Sequence, residues 1–178
     1  MKEFPHFTLR LLVICVLCAG GISLACQAGA AGIQEDKEKE RVALLKQALP
    51  AAERFETVDQ RGIKYEIGYK GTEPVGGIFH TESKGYGGPM QVMVGIDPQG
   101  KVVEVILLAH QETVGLWTKQ VDQEFRAQFR GKSSPFILKR DTPEGNLDGV
   151  TSATVTCRAV IQAVEEALRI FKKEWGKN

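Results

Sequence analysis

The sequence predicts an α+β fold: an N-terminal transmembrane helix followed by one extracytoplasmic domain with an antiparallel sheet flanked by helices. Three observations carry this expectation. A long uncharged apolar run opens the chain, strand-like alternation with a tight turn fills its middle, and helical periodicity brackets that middle on both sides. Strands and helices come in mixed order rather than as regular βαβ units, which favours antiparallel pairing.

The apolar run extends from Leu11 to Ile33 without a charged residue. At about 1.5 Å per residue such a run reaches roughly 34 Å as a helix, enough to cross a hydrocarbon core. Lys2 and Arg10 precede it, and Glu35, Asp36, Glu38 and Glu40 follow it among Lys37, Lys39 and Arg41. This places the N-terminus in the cytoplasm and the bulk of the chain on the periplasmic side of the inner (cytoplasmic) membrane, as a single-pass protein in the lipid bilayer. Two other readings stay open. Small residues at Ala25, Ala28 and Ala30 suit a cleaved signal peptide. Cys26 after Ser23-Leu24-Ala25 suits a lipoprotein signal, although Ser23 stands where an apolar residue is usual. All three readings put residues 34–178 across the same membrane. The expected division is residues 1–33 as cytoplasmic N-terminus and anchor, 34–60 as a helical linker leaving the membrane, and 61–178 as the domain.

Within the linker, Val42, Leu45, Leu49 and Ala52 recur at helical spacing over 34–54, with Pro50 bending or ending the helix. Gly62 to Tyr69 alternates as a strand, and Val75 to His80 forms a second short one. Lys84 to Pro89 is a glycine-rich loop. Val92, Val94 and Ile96 then share one strand face. Asp97-Pro98-Gln99-Gly100 turns the chain, and Lys101 to Ala109 returns as an almost continuous apolar strand, expected at the centre of the sheet. Residues 117–130 read as a helix with Val121, Phe125 and Phe129 spaced by four, ended by Gly131. Phe136 to Lys139 is a short strand. The last helix runs from about Val155 to Trp175 and buries Ala159, Val160, Ala163, Val164, Ala167, Leu168 and Phe171.

Composition narrows the function. With 23 Lys+Arg against 22 Asp+Glu the net charge is +1, so no basic face calls for nucleic acid. The 3 His residues are nowhere at metal-ligand spacing, no Ser/His/Asp or Cys/His set emerges, and nucleotide-binding glycine patterns are absent. Cys15, Cys18 and Cys26 lie in the apolar run. Cys157 is left without an internal disulfide partner in the domain and reads as a small buried helix residue.

The chemistry-bearing stretch is Asp148-Gly149-Val150-Thr151-Ser152-Ala153-Thr154-Val155-Thr156, at the start of the last helix. Taken alone it also reads as an N-cap cluster. A helix start offers outward N–H groups and a positive dipole end, which suit a phosphate. The stretch resembles the flavinylation motif of the FMN-binding domain family. That resemblance implies FMN attached through a phosphoester to Thr154, with Asp148, Thr151, Ser152, Ala153 and Thr156 completing the motif that a flavin-attaching enzyme recognises.

A second stretch, His110-Gln111-Glu112-Thr113-Val114-Gly115-Leu116, is similar to a loop of the G-subunit family of Rnf ion-translocating electron-transport complexes. Val114 and Trp117 depart from that family's pattern. The order of features also resembles that family: the anchor, Ala43 to Pro50, Gly85 to Asp97, the His110 loop, Phe129 to Ser133, and Asp148 to Arg158. The C subunits of sodium-pumping NADH:quinone reductases form a related family of longer chains. A flavin needs an apolar slot and polar groups at its ring edge. Tyr86 and Leu116 are candidates to line the ring, Gly85, Gly87 and Gly88 to allow close backbone approach, and Glu112 and Thr113 to hydrogen-bond the ribityl chain or ring, while Gly115 pairs with Leu116 in the loop match. The resemblance implies an electron carrier that works with the other membrane and redox subunits of an Rnf-type complex, coupling ferredoxin/NAD electron transfer to ion translocation. Two alternatives share the motifs: a stand-alone extracytoplasmic electron-transfer protein, and a binding or structural module without flavin.

Overall fold

In the computed structural model of the chain the described residues are 36–60, 62–109 and 119–175. They contain a helix α1 over 36–48, strands β1 (Arg54–Gln60), β2 (Ile63–Lys70), β3 (Glu73–Lys84), β4 (Pro89–Ile96) and β5 (Val102–Ala109), and helices α2 (Lys119–Ala127) and α3 (Thr154–Trp175). The chain divides into two compact units, Met1–Ala43 and Leu44–Asn178. Of the first, the described residues 36–43 are exposed helix, with Glu38 and Arg41 paired one turn apart at 3.5 Å. The Leu11–Ile33 segment lies outside the described residues. Among those described, no helix is long and apolar enough to cross a membrane.

The second unit is built on an antiparallel five-stranded meander in the order β1-β2-β3-β4-β5. Tight connections set its register. Gly71 takes a φ of 61° between paired Lys70 and Glu73. Asp97 closes the β4–β5 turn, its Oδ1 accepting from the N–H groups of Gln99 (2.9 Å) and Lys101 (2.8 Å).

Alternation divides the sheet into two apolar faces. Tyr65, Phe79, Val94 and Val105 stand opposite one another across four strands, and α3 covers this face. Phe171 meets Phe79 edge-on at 6.0 Å, and Tyr65 stacks on Phe79 at 5.3 Å. The other face gathers Ile78, Met93 and Ile106 under Leu45, Ala48, Leu49 and Ala52. There the backbone of Ala48 approaches so closely that a Cβ on Gly95 would stand 2.0 Å from its carbonyl oxygen.

Four expectations change. β5 ends the sheet instead of lying at its centre. Its buried residues are explained by a covered edge: Val102 exchanges backbone hydrogen bonds with Gly131 and Lys132, and the Arg126 guanidinium donates to the Val105 carbonyl. Arg54–Gln60 is a strand of the sheet, and the helix before it ends at 48, ahead of Pro50. Val42 is exposed. Phe136–Lys139 makes only a single bridge, Leu138 to Leu147, and side chains take the N–H groups of its first two residues. Glu165 of α3 accepts from Phe136 N–H at 2.7 Å, and Asn146 accepts from Ile137 N–H at 3.0 Å.

Candidate functional site

The direction of α3 decides where Thr154 lies. Trp175 rests against Gly77 and Phe171 against Gly100, both at the end of the sheet where β4 turns into β5. The Thr81 hydroxyl donates to the carbonyl of Ala163 at 3.0 Å. Nine residues earlier, about 13 Å back along the helix axis, α3 begins with Thr154. This is the opposite end of the sheet, where β3 runs out at Lys84, β4 starts at Pro89 and β5 finishes at Ala109. The Gly85–Gly88 loop, closed by Gly85 N–H donating to the Gly88 carbonyl at 2.8 Å, belongs to the same end.

The motif folds as a turn followed by the first turn of a helix. Ser152 adopts a φ of 64°, the left-handed region that a non-glycine residue rarely takes. This kink seats Ala153 in the core and sets the Cys157 N–H on the Ala153 carbonyl at 3.0 Å, the first bond of the helix. The three threonines are thereby sorted. Thr151 is exposed on the turn, Thr156 is buried, and Thr154 is half-exposed at the helix start. Val155 beside it is half-exposed to solvent, although it is apolar. Cys157 is fully buried, and its Sγ accepts from Val150 N–H at 3.4 Å. Burial pushes its thiol pKa up, which keeps it protonated and unreactive.

A second segment grips this motif, and sequence reasoning missed it. Lys139, Arg140 and Asp141 are consecutive, and each reaches one residue of the motif helix or its lead-in. Lys139 Nζ meets Asp148 Oδ2 at 2.7 Å. The Arg140 guanidinium donates to Thr154 Oγ1. Asp141 accepts two bonds from Arg158, at 2.7 and 3.3 Å. Those bonds hold the Asp141 carboxyl below the usual carboxylate range and push the Arg158 pKa up in turn. The backbone of Asp148 is fixed independently by Gln128, whose amide donates to its carbonyl at 3.1 Å and accepts from its N–H at 2.6 Å. The charged triplet was visible in the sequence, but its pairing spans 9 to 17 residues and depends on the loop between.

The remaining predicted residues divide. Tyr86 is 72% exposed at the tip of the glycine loop, so it is no core residue, and Gly87 next to it is exposed. Leu108, near the end of β5, is a further exposed apolar side chain at this end. Glu112, Thr113, Gly115 and Leu116 lie outside the described residues, as does Trp117. Among the described residues no cluster of His, Cys, Asp or Glu could hold a metal.

The donor set at Thr154 fits a phosphate monoanion: a hydroxyl, a guanidinium already bonded to it, a second guanidinium one helical turn on, and outward N–H groups of a helix start. Exposed apolar residues at the same end offer surface to a planar ring.

Residues 85–169 match the FMN-binding domain family. Among curated proteins, the chain is 33% identical over 119 residues to the G subunit of the proton-translocating ferredoxin:NAD(+) oxidoreductase complex of Clostridium ljungdahlii. That alignment takes in 66% of this chain and spans 64% of the relative's length. It is 27% identical to the G subunit of the Na(+)-translocating ferredoxin:NAD(+) oxidoreductase complex of Acetobacterium woodii, over 92% of this chain and 89% of the relative. In fold it is similar to the crystal structure of Shewanella oneidensis NqrC, with a TM-score of 0.51, 16% identity, and 74% of each chain covered.

Proposed function

We propose that residues 85–169, which match the FMN-binding domain family, bind FMN and that the chain is the electron-carrying flavoprotein of an Rnf-type ion-translocating oxidoreductase. It carries FMN as a phosphoester on Thr154. In this reading Leu11–Ile33 anchors it, the domain works on the extracytoplasmic side, its partners are the other redox subunits of the complex, and a separate enzyme attaches the flavin. Its relatives are subunits of ferredoxin:NAD(+) oxidoreductase complexes.

One observation carries the assignment to Thr154. Of the three motif threonines, it alone is both partly exposed and bonded to a cation, through Arg140. Thr156 is buried, and Thr151 sits on the turn. The bound FMN supplies the redox chemistry, and the protein supplies position and electrostatics. The start of α3 lies at the phosphate end. Ser152 and the buried Ala153 fix the acceptor oxygen. Asp148, its backbone clamped by Gln128, presents its carboxylate at the surface beside Lys139, where an attaching enzyme can read it.

Thr154→Ala tests this reading. The variant should fold, because the residue it truncates is only half-buried, and should lose the visible flavin absorbance that the denatured wild-type chain retains. Flavin that stays with the denatured Thr154→Ala chain would contradict it.

A further inference from the structure

We propose that Arg140 is the flavin-phosphate ligand of this domain, the counter-ion that pins the phosphodiester once Thr154 carries it. The proposal rests on the assignment of FMN to Thr154. The charge pattern carries it. Of five charged residues around Thr154, four are matched in pairs, Lys139 with Asp148 and Arg158 with Asp141. The fifth, Arg140, spends its guanidinium on a neutral hydroxyl, the Thr154 Oγ1. Among the described residues it forms no ion pair with a carboxylate. The acidic neighbour that feels it, Asp141, owes its lowered pKa first to Arg158 and least to Arg140.

The cluster therefore holds one uncompensated positive charge, directed at the oxygen that the phosphate would occupy. A phosphodiester bears one negative charge, so the match is one to one. A surface arginine with a carboxylate in reach normally takes it, since charge-assisted bonds are about twice as strong as neutral ones. Here Lys139 and Arg158 engage the two acids, and Arg140 stands between Lys139 and Asp141 in the chain. Guanidinium also suits the role geometrically, because its planar fork can hold the ester oxygen and a non-bridging oxygen together.

The test uses the full chain co-expressed with its attaching enzyme, as wild type, Arg140→Ala, Arg140→Lys and Thr154→Ala. The readouts are the flavinylated fraction by intact mass and the ³¹P resonance of the attached phosphate. Arg140→Ala should shift and sharpen that resonance and lower the flavinylated fraction by about tenfold, the scale of one charged hydrogen bond. Arg140→Lys should fall between, with charge kept and the fork lost, and it supplies the resonance if Arg140→Ala takes no flavin. A ³¹P resonance unchanged in both Arg140 variants, with Thr154→Ala free of flavin, overturns the proposal and leaves the Thr154 assignment standing. This holds even if attachment slows, because Arg140 would then serve only recognition by the attaching enzyme. Flavin retained on Thr154→Ala instead removes the assignment on which the proposal rests.

Discussion

At the scale of single residues, the Asp148–Thr156 stretch is a local backbone device. Ser152 has a φ of 64°, and a left-handed conformation costs an L-residue roughly 1–2 kcal/mol. Ser152→Gly should therefore stabilise the apo-protein by about 0.5–1 kcal/mol, less than the full strain because glycine also loosens the unfolded chain. Denaturant unfolding followed by circular dichroism measures it, and an unchanged or lower midpoint would show that the kink is unstrained. The helix start at this stretch was legible in the sequence, since residue types and order carry it. What Thr154 touches was not, because Arg140 is fourteen residues away and comes near only through the loop's fold. Asp141 gives a pH signature of that loop. Its folded pKa lies below the ordinary 3.8 because Arg158 hydrogen-bonds the carboxylate. Its contribution to stability is thus present above about pH 3.8 and is lost as pH falls through the folded value. Carboxyl ¹³C titration should place Asp141 below 3.8, and Arg158→Ala should bring the midpoint back up. A midpoint indifferent to Arg158 would mean the pair does not form in solution.

Among the elements, period and punctuation read well where the chain itself closes the hydrogen bonds. The β4–β5 hairpin, its Asp97 turn and α3 follow the sequence expectation closely, and every core position expected on α3 is buried. The failures share a cause. The almost continuous apolar run of β5 points to the centre of the sheet, yet Gly131, Lys132 and Arg126 cover its outer edge from elsewhere in the chain. The 136–139 segment has strand-like composition, but Glu165 and Asn146 take the N–H groups of Phe136 and Ile137. β1 escaped notice because charged and polar residues dominate it and its burial is slight. Tertiary partners decide such segments, and no local pattern announces them. Docking of residues 45–52, the end of α1 and the turn after it, is equally non-local. It depends on Gly95, where an added Cβ would stand 2.0 Å from the Ala48 carbonyl oxygen. Gly95→Ala should cost about 1–3 kcal/mol as overpacking forces the backbone apart, read as a lower thermal midpoint. A midpoint equal to wild type would show that Ala48 can retreat without loss.

For the molecule as a whole, the sheet separates two tasks. Its Gly77–Gly100 end is closed by Phe171 and Trp175 of α3. Its other end gathers the start of α3, the glycine loop with exposed Tyr86, and the last residues of β5. Aromatic packing thus fills one end, while apolar and cationic groups are exposed at the other, the arrangement expected on the proposed reading of a surface-bound flavin. The α+β class and the antiparallel sheet were readable from alternation and helical spacing. The convergence at one end was not, because it depends on which way α3 runs across the sheet, which the contacts of Phe171, Trp175 and Ala163 with distant residues set. The measurement that tests the central claim most directly is tandem mass spectrometry of the tryptic peptide Asp141–Arg158 from protein purified with its attaching enzyme. That peptide contains Thr142, Thr151, Ser152, Thr154 and Thr156 together. The predicted result is the mass of FMN, less one water, on the fragment that contains Thr154 and on no other. The same mass on Thr151, Ser152 or Thr156, or an unmodified peptide from flavin-bearing protein, would contradict it.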